Sequence, residues 1–179
     1  MRLALFAALI AAPLLGAAGV PEPDSYRMDN YNAPVPDTLT GAEVVDAHVL
    51  STAMSNGAVV IDVMPASRRP PTLPADRPWM PTPRRNIPGS VWWPELGRGA
   101  ITPTQETWFR ARLVEVTGGK LDKTIAFYCK AECWMSWNAA RRARAFGYRK
   151  VLWFPGGAEA WEAAGFPLHA GSPEAVPTD

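Results

Sequence analysis

Three short runs of apolar residues predict strands that are buried on both faces of a sheet. They occupy residues 58–63, 124–128 and 151–154, and each is rich in β-branched or aromatic side chains. Such runs are typical of parallel sheets, because helices cover both faces of those sheets. A further apolar run at residues 90–93 predicts a fourth, shorter strand.

Helical patterns alternate with these strands along the chain. One starts at Thr40, and others follow at residues 105–116, 136–146 and 158–164. Thr40 and Glu43 have the spacing of a capping box, and His48 lies on the apolar stripe of that helix, which favours a buried structural histidine. The alternation predicts an α/β fold with a parallel sheet, where functional groups gather at the carboxyl ends of the strands.

Two proline-rich segments predict no regular structure. Residues 20–39 hold four prolines and two tyrosines, and we interpret them as an N-terminal arm. Residues 65–88 combine prolines and arginines with Trp79 and Met80, and this density of proline disfavours a helix or a central strand. The two apolar side chains indicate docking onto this domain or onto a partner, and a rigid surface loop is the alternative.

The first 19 residues have the pattern of a signal peptide. Arg2 precedes an apolar stretch that ends in small residues, and we expect cleavage after Ala18 or Gly19. An uncleaved anchor is the alternative, although the apolar run is short for one. We therefore expect a periplasmic or secreted protein with no membrane span after cleavage, composed of an arm (20–39), one domain (40–169) and a tail (170–179).

The charges of the chain are balanced. Its 18 basic residues exceed its 17 acidic residues by one, and cleavage of the signal would remove Arg2. Because neither charge is in excess, the sequence does not predict binding to nucleic acid or electrostatic capture by a membrane.

The chain has two cysteines, Cys129 and Cys133, four positions apart. An oxidising compartment favours their pairing, and no third thiol competes with them. His48 and His169 are distant in sequence, so the chain lacks the ligand spacing of structural zinc sites. We expect no metal site and no required cofactor.

Cys129 follows a predicted strand and precedes a short loop that leads into a helix. The free N–H groups and the dipole at the start of a helix favour an anion. We therefore expect a lowered pKa for the Cys129 thiol, as suits a nucleophile or a persulfide carrier, and an inert buried cysteine is the alternative. Asp62, at the end of another buried run, is expected to accept hydrogen bonds from loop backbone.

Three separated motifs resemble those of the rhodanese-like domain family over roughly residues 40–169. They are Ile-Asp-Val at 61–63, Arg-Asn-Ile-Pro-Gly-Ser at 85–90, and a longer pattern at 136–168 that contains Pro-Gly-Gly. The resemblance implies a rhodanese-like three-layer α/β fold, with a central, mainly parallel sheet flanked by helices.

The resemblance also implies roles for individual residues. Cys129 would be the persulfide-forming cysteine, and Asp62 and Arg85 would support its loop. The ligand-binding loop itself would comprise Lys130, Ala131, Glu132, Trp134, Met135 and Ser136.

Two features depart from the pattern of active sulfurtransferases of this fold. Six residues separate Cys129 from Ser136, one more than usual, and Met135 stands where the loop arginine is expected. Thiosulfate or phosphate would therefore meet little positive charge unless an arginine of residues 68–85 supplied it. The longer loop resembles that of the phosphatase members, but the missing arginine disfavours phosphatase activity.

The second departure is Cys133, which would act as a resolving partner by thiol–disulfide exchange. A disulfide that only stiffens the loop is a further alternative. Trp134 would shield the pair or take part in ordinary packing. The segment from Cys129 to Trp134 resembles that of the exported CXXCW-motif family, which is associated with PQQ-dependent catabolism.

Two functions follow from these resemblances. The first is an exported rhodanese-like sulfurtransferase or thiol/sulfur carrier, acting through a Cys129 persulfide or a Cys129–Cys133 redox pair on a small sulfur or thiol donor. The alternative is a non-catalytic periplasmic binding module whose partner is a quinoprotein dehydrogenase. PQQ enters only through the family association.

Overall fold

The computed structural model describes residues 19–178. The predicted signal peptide, residues 1–19, therefore lies outside the described residues except for Gly19. Within the described part, no helix has the length and apolar character needed to cross a membrane.

A parallel sheet of five strands forms the centre of the fold. Residues 19–178 contain seven strands: β1 Glu43–Val44, β2 Val59–Asp62, β3 Arg85–Asn86, β4 Val91–Trp92, β5 Ile125–Tyr128, β6 Val151–Phe154 and β7 His169–Ala170. The central sheet has the order β1-β6-β5-β2-β4, and all four of its pairings are parallel. The predicted strands at β2, β4, β5 and β6 are confirmed, and all four end at the same edge of the sheet.

Four helices cover the two faces of the sheet. They are α1 Ala47–Ser55, α2 Pro103–Thr117, α3 Trp134–Ala145 and α4 Gly157–Ala163. Alternate strand residues face opposite ways, so Phe127 packs with the α2 and α3 side chains while its neighbour Tyr128 packs with those of α1 and α4. The predicted three-layer α/β fold is confirmed.

The predicted start of the first helix is wrong. The helix begins at Ala47 and is capped by Asp46, whose carboxylate accepts a hydrogen bond from Val49 N at 2.8 Å. Residues before it form β1, because pairing with β6 satisfies the backbone of this edge. His48 is exposed rather than buried, and its ring contacts Phe166 edge-on.

Side chains of α3 hold the N-terminal arm against the domain. The indole N–H groups of Trp134 and Trp137 donate to Pro34 O at 3.1 Å and Thr38 O at 3.2 Å. Asn138 is fully buried and contacts both Arg27 N (2.9 Å) and Arg27 O (2.8 Å) through its amide. The arm has only isolated bridges of its own, so these contacts determine its path.

The proline- and arginine-rich segment has no helix or strand until β3. Met80 in this segment is 84% exposed. Strand β3 pairs antiparallel with β7 in a separate two-stranded sheet, which sequence patterns did not indicate. Because β7 lies at the start of the predicted tail, this pairing attaches the tail to the segment beside β2.

Asn138→Ala is expected to lower the free energy of unfolding by about 2–3 kcal/mol, because it leaves the buried Gly97 carbonyl and the partly buried backbone groups of Arg27 without these partners. Urea unfolding measures the loss, and hydrogen exchange at Arg27 N should accelerate. Asn56→Ala, at an exposed helix end, is the control. Equal losses in the two variants would contradict the role of Asn138 in holding the arm.

Candidate functional site

The two cysteines lie at the ends of the loop between β5 and α3. Cys129 follows the last residue of β5, and Cys133 is the residue that caps α3. Glu132 turns the chain between them with a φ of 50°. Both cysteines are free thiols, and the exposed fraction is 0% for Cys129 and 2% for Cys133.

The two thiols contact each other, and the contact determines which of them ionises first. The pKa of Cys133 is lowered to about 7, first because of the neighbouring Cys129 thiol. Backbone N–H groups of Met135 and Lys130 lower the same pKa further. The first thiolate of the pair therefore resides on Cys133, at the start of α3.

The expectation of a lowered pKa at Cys129 is wrong. Burial raises the pKa of this thiol well above its usual value, and the Cys133 sulfur and the negative charge of Asp62 raise it further. The N–H group of Lys130 opposes the rise but does not reverse it. The loop does stabilise a thiolate, but that thiolate is Cys133 and not Cys129.

Asp62 organises the edge of the sheet beside Cys129. Its carboxylate is fully buried and accepts hydrogen bonds from Arg84 Nε at 2.6 Å, Asn86 Nδ2 at 2.7 Å and Met64 N at 2.8 Å. Burial raises the pKa of this carboxyl, and the Arg84 cation opposes the rise. The expectation that Asp62 accepts hydrogen bonds from loop backbone is confirmed at Met64.

The arginine that supports the site is Arg84, whereas the sequence indicated Arg85. Arg84 Nη2 also donates to Cys129 O at 3.0 Å, so one guanidinium joins the buried carboxylate to the cysteine. Arg85 points away and forms an ion pair with Glu162 at 2.8 Å, in which both side chains are more than half exposed. A cation from the 68–85 segment thus reaches the site, but Asp62 neutralises it.

Two N–H groups of the predicted ligand-binding loop already have partners within the chain. Ala131 N donates to Glu159 Oε2 at 3.1 Å, and Trp134 N donates to Tyr31 O at 2.9 Å. The neighbouring Asn32 forms a bridge with Cys133, so the arm lies across the start of α3. The cradle for an anion is therefore partly closed by the protein itself.

Three of the remaining loop residues are buried and pack against the domain, namely Trp134, Met135 and Ser136. Ser136 Oγ donates to Cys133 O at 3.0 Å and accepts from the Trp153 indole at 3.0 Å. Trp134 packs on Trp137 under the arm, and Met135 is buried. Lys130 is half-buried and Glu132 is exposed.

A glycine of the Pro-Gly-Gly motif allows α4 to approach the cysteine loop. Gly157 has a φ of 62°, and a Cβ there would lie 2.4 Å from the carbonyl carbon of Lys130. Ala158 N, in the next position, donates to Cys129 O at 3.3 Å. Together with Arg84, this contact satisfies the carbonyl of the cysteine and fixes the end of β5.

A family model described as Rhodanese-like domain matches residues 46–164. The chain belongs to the rhodanese-like family. No curated protein is significantly similar to it in sequence. The family match covers both cysteines and Asp62 but leaves the arm outside.

Solved structures agree with the rhodanese fold of the chain. SseA from Escherichia coli, a 3-mercaptopyruvate sulfotransferase, has 21% identity and a TM-score of 0.52 over 76% of this chain. The match covers 53% of SseA, so the chain spans about half its length. A thiosulfate sulfurtransferase from Pseudomonas aeruginosa has 15% identity and a TM-score of 0.48, covering 77% of this chain and 22% of its own. At these identities the likeness concerns the fold alone.

Substitution of the two neighbouring arginines should separate their roles. Arg84→Met is expected to lower the free energy of unfolding by about 3–5 kcal/mol, because it leaves the buried Asp62 without its cation. Arg85→Met removes an exposed ion pair and an exposed hydrogen bond to Leu168 O, and it is expected to cost about 0–1 kcal/mol. Urea unfolding at neutral pH measures both values, and a larger loss in Arg85→Met would refute this assignment.

The reactivity of the rhodanese-like chain with a small thiosulfonate reagent should rise with pH and level off above a midpoint of about 7, where Cys133 becomes a thiolate. Cys129→Ala removes the neighbouring thiol that lowers the pKa of Cys133, so the midpoint should move to higher pH. Mass spectrometry identifies the labelled cysteine at each pH. Labelling confined to Cys129 near neutral pH would contradict the assignment of the first thiolate.

Proposed function

We propose that this rhodanese-like protein is an exported sulfur or thiol carrier whose working groups are the thiols of Cys129 and Cys133. The observation that carries the proposal is a pair of free, buried thiols at the two ends of the loop between β5 and α3, each of which changes the pKa of the other. A thiolate in contact with a second thiol can accept a sulfur atom and then release it by forming a disulfide. The contact favours the redox pair over a Cys129 persulfide acting alone.

The first step transfers sulfur from a protonated persulfide donor. The Cys133 thiolate attacks the outer sulfur of the donor, and a new S–S bond forms as the S–S bond of the donor breaks. The rest of the donor leaves as a thiolate with the electron pair of the broken bond. Cys133 then carries a persulfide.

The second step releases the sulfur and oxidises the pair. Cys129 loses its proton to solvent and attacks Sγ of Cys133, so that a Cys129–Cys133 disulfide forms. The outer sulfur leaves as hydrosulfide with the electron pair of its former bond. An external dithiol returns the pair to the thiol state by two-electron exchange.

The charges around the loop support a thiol persulfide as donor, rather than thiosulfate or phosphate. Two N–H groups of the loop are occupied by Glu159 and by the Tyr31 carbonyl. The nearby Arg84 cation is paired with Asp62 at 2.6 Å. A doubly charged anion would therefore find little uncompensated positive charge at the loop. A protonated persulfide carries no charge on its sulfur atoms and needs little positive charge to bind.

Export and the link to alcohol oxidation are parts of the same proposal that rest on sequence. Residues 1–19 carry the pattern of a cleaved signal, and the cysteine segment resembles the CXXCW-motif family associated with PQQ-dependent catabolism. Terminal sequencing of the protein from a periplasmic fraction tests export. A mature chain that starts at or close to residue 19 or 20 supports it, and an intact Met1 contradicts it.

An exposed apolar side chain favours a second candidate function, a partner module for a periplasmic quinoprotein dehydrogenase. Met80 is 84% exposed within a segment that also carries several arginines. Binding of a purified dehydrogenase to immobilised protein, measured for the wild type and Met80→Ser, tests this role. Equal binding by a variant that lacks both cysteines would favour the partner module over the carrier.

The products of a reaction with glutathione persulfide distinguish the roles of the two thiols. Wild-type protein should lose two hydrogens as its disulfide forms and should release hydrosulfide. Cys129→Ser should stop after the first step and retain one extra sulfur on Cys133, because the attacking thiol is missing. Cys133→Ser should react much more slowly at neutral pH, since the pKa of Cys129 is raised.

Mass spectrometry of the intact proteins measures these products, and circular dichroism confirms that each variant is folded. A variant without either cysteine is the control for sulfur retained elsewhere. Rapid hydrosulfide release by Cys129→Ser would exclude Cys129 as the resolving thiol. A wild type that neither gains sulfur nor loses hydrogens would refute the carrier function.

A further inference from the structure

A third sulfur atom lies against the cysteine pair. The thioether of Met64 approaches Cys129, with Sδ and Sγ separated by 3.4 Å. Cys129 donates its thiol proton to this thioether, and Cys133 lies close enough in the same loop for the two thiols to change each other's pKa. Three sulfur atoms from two segments of the chain, the loop after β5 and the residues after β2, therefore lie together at the edge of the sheet.

The backbone of Met64 is held from both sides. Its N–H donates to Asp62 Oδ1 at 2.8 Å, and its carbonyl accepts from the Trp92 indole at 2.6 Å. These bonds connect the methionine to the ends of β2 and β4, next to the strand that carries Cys129. The backbone that carries the thioether beside Cys129 is therefore fixed at both its N–H and its carbonyl, which favours a preorganised ligand.

The surroundings of the three sulfurs suit a soft monovalent cation. Cys129 and Cys133 are almost completely buried, and they belong to the apolar cluster against which Met64 packs. Two thiolates and one monovalent cation would leave a single negative charge. The guanidinium of Arg84, bonded to Cys129 O at 3.0 Å, is already paired with Asp62, so the bound cation would supply the positive charge that two thiolates need.

We propose that the reduced Cys129–Cys133 pair and Met64 form a three-sulfur binding site for Cu(I). Thiolate and thioether ligands suit soft metal ions, of which Cu(I) is one. Binding forms two copper–thiolate bonds and one copper–thioether bond, and it releases both thiol protons to solvent with no change in oxidation state.

The donor set disfavours zinc at the same position. Structural zinc sites take four cysteine, histidine or carboxylate ligands, and a thioether is not among them. Among residues 19–178, no cluster of three or more histidine, cysteine or acidic side chains has the geometry to hold a metal. Methionine supplies the third ligand here, which is a donor that copper accepts and zinc does not.

The copper proposal is tested on the reduced full chain without oxygen and without any sulfur donor. Titration with Cu(I) against a chromophoric chelator should show one tightly bound ion per chain, and X-ray absorption should show three sulfur neighbours. Met64→Leu should weaken binding by at least about tenfold, since even the loss of an outer-sphere partner weakens metal sites by that factor. Its absorption spectrum should show one sulfur fewer.

Met28→Leu is the matched control, because Met28 is 60% exposed and distant in sequence from the pair. Unchanged affinity and coordination in Met64→Leu would refute the three-sulfur site. Binding by a variant without cysteines as tight as that of the wild type, or Zn(II) displacing Cu(I) at equal concentration, would do the same. Because sulfur transfer is assayed without copper and copper binding without a persulfide, failure of one proposal leaves the other intact.

Discussion

The Asp62 carboxylate has no contact with solvent, and the arrangement around the cysteines depends on how its charge is compensated. An isolated carboxylate at this depth would be costly, so it recruits the Arg84 guanidinium, the Asn86 amide and the Met64 N–H. Each donor fixes a different segment. Arg84 orients the end of the proline-rich segment, Asn86 fixes β3, and Met64 defines the turn after β2. One buried charge thereby determines which side chains surround Cys129.

The same carboxylate explains why the two thiols differ. Its negative charge and the burial of Cys129 both disfavour a thiolate at that residue. Cys133 is farther along the loop, at the start of α3, where backbone N–H groups favour negative charge. Each thiol also acts on the other, since Cys133 raises the pKa of Cys129 and Cys129 lowers that of Cys133. An unequal pair is suited to sequential chemistry, in which one sulfur attacks first and the other resolves the product.

Local patterns predicted the parts of the fold that local physics determines. The strands β2, β5 and β6 are continuous apolar runs, and the loop after β5 carries both cysteines as expected. Contacts between distant residues were not predictable. Arg84 and Arg85 are adjacent and chemically identical, so only the folded position of Asp62 distinguishes them. Likewise, Tyr31 reaches Trp134 across more than a hundred residues, and Met64 looks like an ordinary apolar residue until Cys129 lies beside it.

The oxidation state of one sulfur cluster connects the two proposed activities. A disulfide between Cys129 and Cys133 has no thiolate for a metal, so copper binding requires the reduced pair. A bound Cu(I) ion in turn occupies the lone pairs with which Cys133 would attack a persulfide. The two states exclude each other, and the external dithiol that resets the carrier would also restore the metal site. Met64 distinguishes these roles chemically, because sulfur transfer between thiols needs no thioether, whereas a Cu(I) ion held by only two thiolates lacks the third ligand that this fold provides.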